Sequence, residues 1–277
     1  MKINEAVILL GGMGTRLLPY TKTISKEMLP IYDVPCIFKL VQEAYLSGIR
    51  KIIFVVTKHN KYLIENFFKE NNTINDFLSN KPDKQEMLKE INEIISNVEF
   101  KYVYQTIKGT YGALYSARKL IHNDNFIVMY GDDLFDDKIL VTKELITHFQ
   151  NDHKMYVTVM KKDYEELPNV GVAKIENNYL VNLVSKDEIT NGFELYGRML
   201  LNKKIFTIKN ELIKHKDDEY YLSYALLKFK GEVKVYQYTG NYFNIGDKLG
   251  FIKASIYFAS KDKNNKKNLK DFLKKID

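Results

Sequence analysis

The stretch G-G-M-G-T-R-L-L-P (residues 11–19) sets glycines directly after a short apolar run, Glu5–Leu10. Glycines at the end of a buried parallel strand let the backbone approach a ligand, and successive N–H groups can converge on phosphate oxygens. Arg16 follows at once, and Lys26-Glu27 come ten residues later. An arginine can fork across two oxygens while a lysine supplies a point charge, a combination suited to a triphosphate. A second cluster, Gly131-Asp132-Asp133, closes the apolar run Phe126–Tyr130. A carboxylate at the carboxyl end of a parallel strand is well placed to hold Mg²⁺ while substrate phosphates supply the other oxygens.

Other phosphate motifs fit less well. A dinucleotide fingerprint started at Gly12 finds Gly14 but then Leu17 where the third glycine belongs, and the chain has no Walker sequence. Taken alone, the glycines could be a turn without a ligand, the two cations solvated charges, and the paired aspartates a turn or helix cap. The five histidines are scattered without metal-ligand spacing, and Cys36 has no evident base, so neither a zinc site nor covalent catalysis is supported.

The elements that must position these groups alternate. Strand-like runs at Glu5–Leu10, Lys51–Thr57, Phe100–Tyr104, Phe126–Tyr130 and Met155–Lys161 are separated by helical patterns at Pro35–Tyr45, Tyr62–Lys69, Ala113–Leu120 and Thr142–Gln150. Such alternation predicts a doubly wound α/β fold, a mostly parallel mixed sheet covered on both faces. Residues 11–34 read as a long polar loop, and residues 73–97 as an excursion of one or two short helices outside the sheet. Beyond about residue 162 the pattern turns antiparallel: Val170–Ile175, Tyr179–Val184 and Phe193–Leu201, with a turn around Asn191-Gly192. Helices are expected near Lys203–Lys209, Tyr220–Phe229 and Phe251–Phe258, with a strand at Val233–Tyr238. The tail from Lys261 reads as a basic amphipathic helix.

The chain has 277 residues, 45% hydrophobic and 28% charged, with a formal net charge of +7. These values exclude a disordered, collagen-like or coiled-coil protein, and they favour one large α/β domain over two cramped ones. The mild basicity suits an anionic small ligand as readily as nucleic acid. The lone cysteine cannot form an internal disulfide, and the N-terminal apolar run is too short for a signal or spanning segment, so a cytoplasmic protein is expected. The twenty tyrosines and sixteen phenylalanines are spread along the chain as core residues would be. The tail lysines read as a solvated helix face, so neither a nucleic-acid nor a membrane partner is expected.

The segment Gly11–Pro30, ending in K-E-M-L-P, closely resembles the signature of sugar-1-phosphate nucleotidylyltransferases, in particular the bacterial UTP–glucose-1-phosphate uridylyltransferase branch. The resemblance runs from Glu5 to about Ala259 and is strongest in the first half. It implies a nucleotidyltransferase of GT-A-like fold, with a nucleotide-binding core over about 1–162, a sugar-binding part over about 163–260 and a basic C-terminal helix over about 261–277. Arg16, Lys26 and Asp132 are the implied catalytic residues. Nucleotide contacts are implied at Leu10, Gly11, Gly12, Gly14, Thr15, Glu27, Gln105 and Gly112, and sugar-phosphate contacts at Gly171, Ser185, Lys186 and Gly197. Asp132 and Asn244 are the implied Mg²⁺ ligands, and a homodimer or homotetramer is implied.

Several positions depart from the family pattern. V-E-K-P reads V-S-K-D (residues 184–187), which puts Ser185 where a glutamate normally accepts bonds from sugar hydroxyls. Asn244 replaces the second metal-associated aspartate, Ala113 replaces a histidine, and G-E-I-Q-L-T-D-A survives as D-E-Y-Y-L-S-Y-A (218–225), keeping Glu219. The expected reaction is UTP + glucose 1-phosphate → UDP-glucose + pyrophosphate. Two alternatives stay open: a nucleotide-binding paralogue with reduced or lost turnover, and an enzyme for another nucleotide–sugar-phosphate pair. A nicotinamide dehydrogenase is weakened by Leu17.

Overall fold

The computed structural model of the protein describes residues 2–189, 192–215 and 218–276. Its strands are β1 (Glu5–Leu9), β2 (Pro30–Ile31), β3 (Val34–Pro35), β4 (Lys51–Val56), β5 (Glu99–Tyr104), β6 (Asn125–Tyr130), β7 (Asp133–Phe135), β8 (Met155–Lys162), β9 (Val170–Glu176), β10 (Tyr179–Ser185), β11 (Gly192–Asn202), β12 (Val233–Gln237) and β13 (Tyr242–Asn244). The helices are α1 (Cys36–Leu46), α2 (Lys61–Phe67), α3 (Asn72–Phe77), α4 (Pro82–Asn97), α5 (Gly109–Ala117), α6 (Val141–Asp152), α7 (Leu222–Leu226), α8 (Lys248–Ala259) and α9 (Lys266–Leu273). Nine strands form one mixed sheet in the order β5-β4-β1-β6-β11-β8-β12-β10-β9.

Alternation along the strands builds a layer on each face. Ile8, Ile52, Phe54, Ile127 and Met129 pack with Ile37, Leu40 and Val41 of α1 and Leu145 and Phe149 of α6. Val7, Leu9, Ile53, Val55 and Val128 pack with Ala113, Leu114 and Ala117 of α5 and Leu222 and Leu226 of α7. The sheet is therefore covered on both sides, as the alternation predicted. Parallel pairing joins β5, β4, β1 and β6, whose carboxyl ends carry the glycine loop and Asp132.

The pairing of the later strands is where reading by alternation falls short. β8 does not lie next to β6; β11 sits between them, antiparallel to both, and β12 runs parallel to β8. The antiparallel turn of the pattern holds: β9 and β10 form a local meander, and β11 is antiparallel to β9 as well as to β6 and β8. Side-chain alternation tells which faces of a strand are apolar, not which strand lies beside it. The turn expected around Asn191-Gly192 falls partly on Asn191, outside the described residues.

Smaller differences have local causes. The 11–34 segment is not a plain loop: 3₁₀ turns at Thr15–Leu17, Tyr20–Lys22 and Lys26–Met28 lead into the β2–β3 hairpin. Such i→i+3 turns leave no periodic apolar signal. Pro35 is extended and precedes α1 rather than opening it. The excursion contains α4, which is 16 residues long. Residues 203–211 form two 3₁₀ turns instead of a helix. The helix expected at Tyr220–Phe229 shrinks to α7, because Tyr220 is held extended: its N–H donates to Lys108 O (3.2 Å) and its carbonyl accepts from Tyr111 N–H (2.9 Å). Thr110 Oγ1 then accepts the Leu222 N–H at the start of α7 (2.9 Å). No helix is long and apolar enough to cross a membrane among the described residues.

Candidate active site

The end of β1 meets the ends of β4 and β5 through side-chain amides. Asn60 donates to Leu10 O (2.7 Å) and accepts the Thr57 N–H (2.8 Å), which tethers the first glycines. Gln105, just past β5, lays its amide across Gly11, where a Cβ would fall 1.6 Å from Gln105 Oε1; only glycine lets the two approach so closely. The Gln105 amide nitrogen donates to Ile107 O (2.8 Å). Gly14 adopts φ +65°, and Thr21 Oγ1 donates to its carbonyl (2.8 Å), folding the loop back so that Lys26 comes beneath Gly12. Thr15 and Arg16 are exposed on the turn that follows.

Opposite the glycines, Asp132 forms an ion pair with Lys26 across 106 residues of sequence. Asp132 O accepts the Ile245 N–H (2.9 Å), and Asn244 stands opposite Asp133 in the β7–β13 ladder. A Cβ built on Gly246 would lie 2.8 Å from Asp132 Oδ2, 2.9 Å from Asn244 Oδ1 and 2.9 Å from Arg16 Nη2. Arg16, Asp132 and Asn244 thus converge on one point. The cleft between the two sides, about 230 Å³, is lined by Gly11, Gly12, Lys26, Gln105 and Asp132, together with Leu9, Gly109, Thr110, Ala113, Tyr130 and Glu219.

Burial sets the electrostatics. Lys26 is opposed by desolvation, yet the carboxylates of Asp132 and Glu27 hold its pKa above the ordinary lysine value. Glu27 is wholly buried, and burial pushes its carboxyl up to about 7. Asp133 is pushed up to about 6, first by burial and then by the charge of Asp132. Its oxygens accept the Gly197 N–H (2.6 Å) and the Tyr242 hydroxyl (2.7 Å). Burial, followed by the charge of Asp133, raises the Tyr242 hydroxyl well above the usual tyrosine range, so it stays a donor. Arg16, Lys26, a carboxylate and a neutral amide oxygen beside the glycine loop can hold a polyanion together with its metal ion.

The remaining expected residues divide. Gly197 sits on the acid side: a Cβ there would strike the Tyr130 ring at 2.2 Å. Leu10 buries its side chain in the core, and Leu9 lines the cleft instead. Gly112 lies inside α5 against Ile107 O and does not line the cleft. Gly171, Ser185 and Lys186 gather where β9 and β10 pair, and none of the three lines the cleft. Gly171 has φ +86° with open space around it. Ser185 donates to Asn169 O (3.1 Å) and caps the 3₁₀ turn Lys186–Glu188, while its N–H is taken by Glu188 (2.9 Å). Lys186 Nζ lies 5.0 Å over the Tyr164 ring.

The nucleotidyl transferase family model matches residues 5–242. The chain belongs to the nucleotidyl transferase family. It is 33% identical to UTP–glucose-1-phosphate uridylyltransferase 1 of Staphylococcus saprophyticus subsp. saprophyticus over 100% of this chain and 99% of that protein. Identity is 32% to the corresponding Streptococcus pyogenes protein, over 99% of this chain and 95% of that one. Among solved structures, an apo UDP-glucose pyrophosphorylase superposes with a TM-score of 0.86 at 29% identity, covering 94% of this chain and 99% of the other. A UTP-bound enzyme of that kind from Acinetobacter baumannii gives 0.85 at 26% identity over the whole of both chains.

For this nucleotidyl transferase, some cleft residues carried little signal of their own. Tyr130 reads as the last residue of a strand, and its hydrogen bond to Thr110 joins segments far apart in sequence. Glu219 stands in a weakened motif, and what brings it to the cleft is the backbone pairing of Tyr220 with residues 108–111. The tightness of the bends at Gly109 and Tyr220, where a Cβ on Gly109 would meet Tyr220 O at 2.3 Å, was the one legible hint, through the glycine itself.

Proposed function

We propose that the protein joins UTP and glucose 1-phosphate to give UDP-glucose and pyrophosphate. The observation that carries this reading is the meeting of Lys26 and Asp132 beneath Gly11, Gly12 and Gln105 in one cleft. UTP lies with its phosphates under Gly11–Arg16 and its base toward Gln105, whose amide can serve both donor and acceptor edges of uracil. Glucose 1-phosphate enters against Gly171 and Lys186. A phosphate oxygen of the sugar phosphate attacks the α-phosphorus in line, the bond to the bridging oxygen of the β-phosphate breaks, and pyrophosphate leaves. The attacking oxygen is already ionised at neutral pH, so no general base is needed. Rate comes from alignment and from cations aimed at the phosphoryl oxygens. Lys26 must exchange its partner, leaving Asp132 for the phosphates.

The carboxylate of Asp132 and the amide oxygen of Asn244 face the same corner beside Gly246 and are oxygen donors of the kind Mg²⁺ takes; the ion commonly uses one or two protein oxygens and completes its shell with phosphates and water. When bound, the ion neutralises charge on the polyphosphate. With one charge instead of two, the site depends on the nucleotide for much of its affinity. UTP and glucose 1-phosphate are cytoplasmic metabolites, which supports a cytoplasmic location; a homodimer or homotetramer is expected by analogy with relatives.

A second reading, a nucleotide-binding paralogue with little turnover, is favoured by Ser185, whose N–H is engaged by Glu188 within its own turn and whose hydroxyl donates to Asn169 O. Pyrophosphate release with UTP, dTTP, CTP and ATP against glucose 1-phosphate separates the two. UTP is expected to exceed the others by more than about tenfold, the factor set by about 1.4 kcal/mol of discrimination. Calorimetric UTP binding without pyrophosphate from any pair would establish the second reading.

A further inference from the structure

Arg198 is 0% exposed, in the middle of β11, the strand inserted between β6 and β8. Its guanidinium is engaged on every side. Nε lies 3.0 and 3.1 Å from the two Glu43 carboxylate oxygens, and Nη2 donates to Glu43 Oε2 (2.8 Å). Nη2 also donates to the carbonyl of Asp133 (3.0 Å), and Nη1 to the carbonyl of Gly197 (3.1 Å). Glu43, on α1, accepts in addition the N–H (3.1 Å) and hydroxyl (2.6 Å) of Thr142 at the start of α6. Four elements therefore meet at one planar cation, which grips the main-chain carbonyls of Gly197 and Asp133.

A buried ion pair is a poor device for stability, since its desolvation cost rivals its attraction and an apolar replacement is often neutral or better. The geometry here does something apolar packing cannot. Gly197 N–H is bound by the Asp133 carboxylate and Asp133 O by Arg198, so the turn after Asp132 is held at both side chain and backbone. Asp133 pairs with Asn244 in the β7–β13 ladder, and Asp132 O takes the Ile245 N–H. The spacing between Asp132 and Asn244 follows from the position of that turn.

We infer that Arg198 and Glu43 are positioning residues that set the Asp132–Asn244 pair at the spacing it needs to accept a nucleotide-bound divalent cation. The inference rests on the nucleotidyl-transfer reading above. Lysine at position 198 keeps the charge but loses the planar fork.

The test uses the full chain, and Arg198→Lys is compared with wild type in two measurements. The first is pyrophosphate release from UTP and glucose 1-phosphate as Mg²⁺ is varied. The second is calorimetric UTP binding in Mg²⁺ and in EDTA. The Mg²⁺ concentration for half-maximal rate is expected to rise at least fivefold in Arg198→Lys. The gain in UTP affinity on adding Mg²⁺ should shrink by a similar factor, with UTP affinity in EDTA within twofold of wild type. Partial unfolding would lower the rate without moving that midpoint, so an unmoved midpoint overturns the inference, as does an equal loss of affinity in EDTA. Should Arg198→Lys not fold, Thr142→Val, which removes one bond to Glu43, is expected to move the midpoint about twofold; no movement overturns the inference. A wild-type protein that binds UTP but releases no pyrophosphate would remove the nucleotidyl-transfer reading, while the calorimetric comparison would still decide the positioning role.

Discussion

The two halves of the proposed site are built differently. Around Gly11, Lys26, Gln105 and Asp132 the groups are buried or half-buried and lock one another across long stretches of sequence. Around Gly171, Ser185 and Lys186 they lie on a two-strand meander and meet partners from the same meander and the segment leading into it: Ser185 with Asn169 and Glu188, Lys186 over Tyr164. Interlocked burial preorganises charge before a ligand arrives and makes each member hard to replace. Ser185, in place of the family's glutamate, is half-buried like Gln105 and Asp132 but belongs to no ion pair. Departures from the family pattern fall in both halves, Ser185 in the meander and Asn244 and Ala113 at the cleft, so a weaker interlock alone does not say where they occur.

The sharpest way to break this contrast is to substitute within the interlocked half. Lys26→Ala or Asp132→Asn is expected to lower kcat by about 10²–10³, the usual worth of one preorganised charged partner, with the far-ultraviolet circular dichroism unchanged. A rate near wild type in steady-state assay would remove that residue from the mechanism.

Glu27 offers a second, pH-dependent test. Its folded pKa of about 7 lies above the ordinary 4.5, so the folded state binds more protons between these values. Stability of the unliganded protein should therefore fall as pH rises from about 4.5 to 7 and level off beyond, by up to about 3 kcal/mol from this group. In Glu27→Gln, thermal melts across that range should show a shallower decline than wild type, and parallel curves would refute the assignment.

Gly11→Ala is expected to fold, because the atom in its way is the end of a flexible glutamine, while displacing Gln105 and weakening UTP binding about tenfold, near 1.4 kcal/mol. Calorimetry against Gly12→Ala, where the nearest atom is Lys26 Nζ at 3.2 Å, would locate the loss at the amide if the Gly11 variant binds more weakly.

The smallest effect belongs to the meander half. Ser185→Glu restores a sugar-facing acceptor but gives up the turn cap, and KM for glucose 1-phosphate should change by less than about fivefold, within 1 kcal/mol. A change of two orders of magnitude would show that this turn is as demanding as the buried cleft.

Much of this was legible beforehand. The buried runs at Glu5–Leu10 and Phe126–Tyr130 announce parallel strands, and the glycines and acids that follow them announce a phosphate site, because strand, helix and turn preferences act over a few residues. Arg198 was not legible: inside the apolar run Phe193–Leu201 it reads as an outward-facing charge, whereas β11 is enclosed by β6 and β8, so its side chain must find Glu43, Thr142 and Asp133.

The amino-acid order alone therefore determined the covered α/β sheet, the cradle at residues 11–16 and the identity of the cation and acid that face it. Tertiary structure decided that Lys26 meets Asp132, that Asn244 and Arg16 share their corner, and that the β9–β10 residues stand apart from the cleft. Each of those pairings spans tens to hundreds of residues. They are set by which strand lies beside which in the sheet, a choice made by the packing of the whole chain and invisible to any local window.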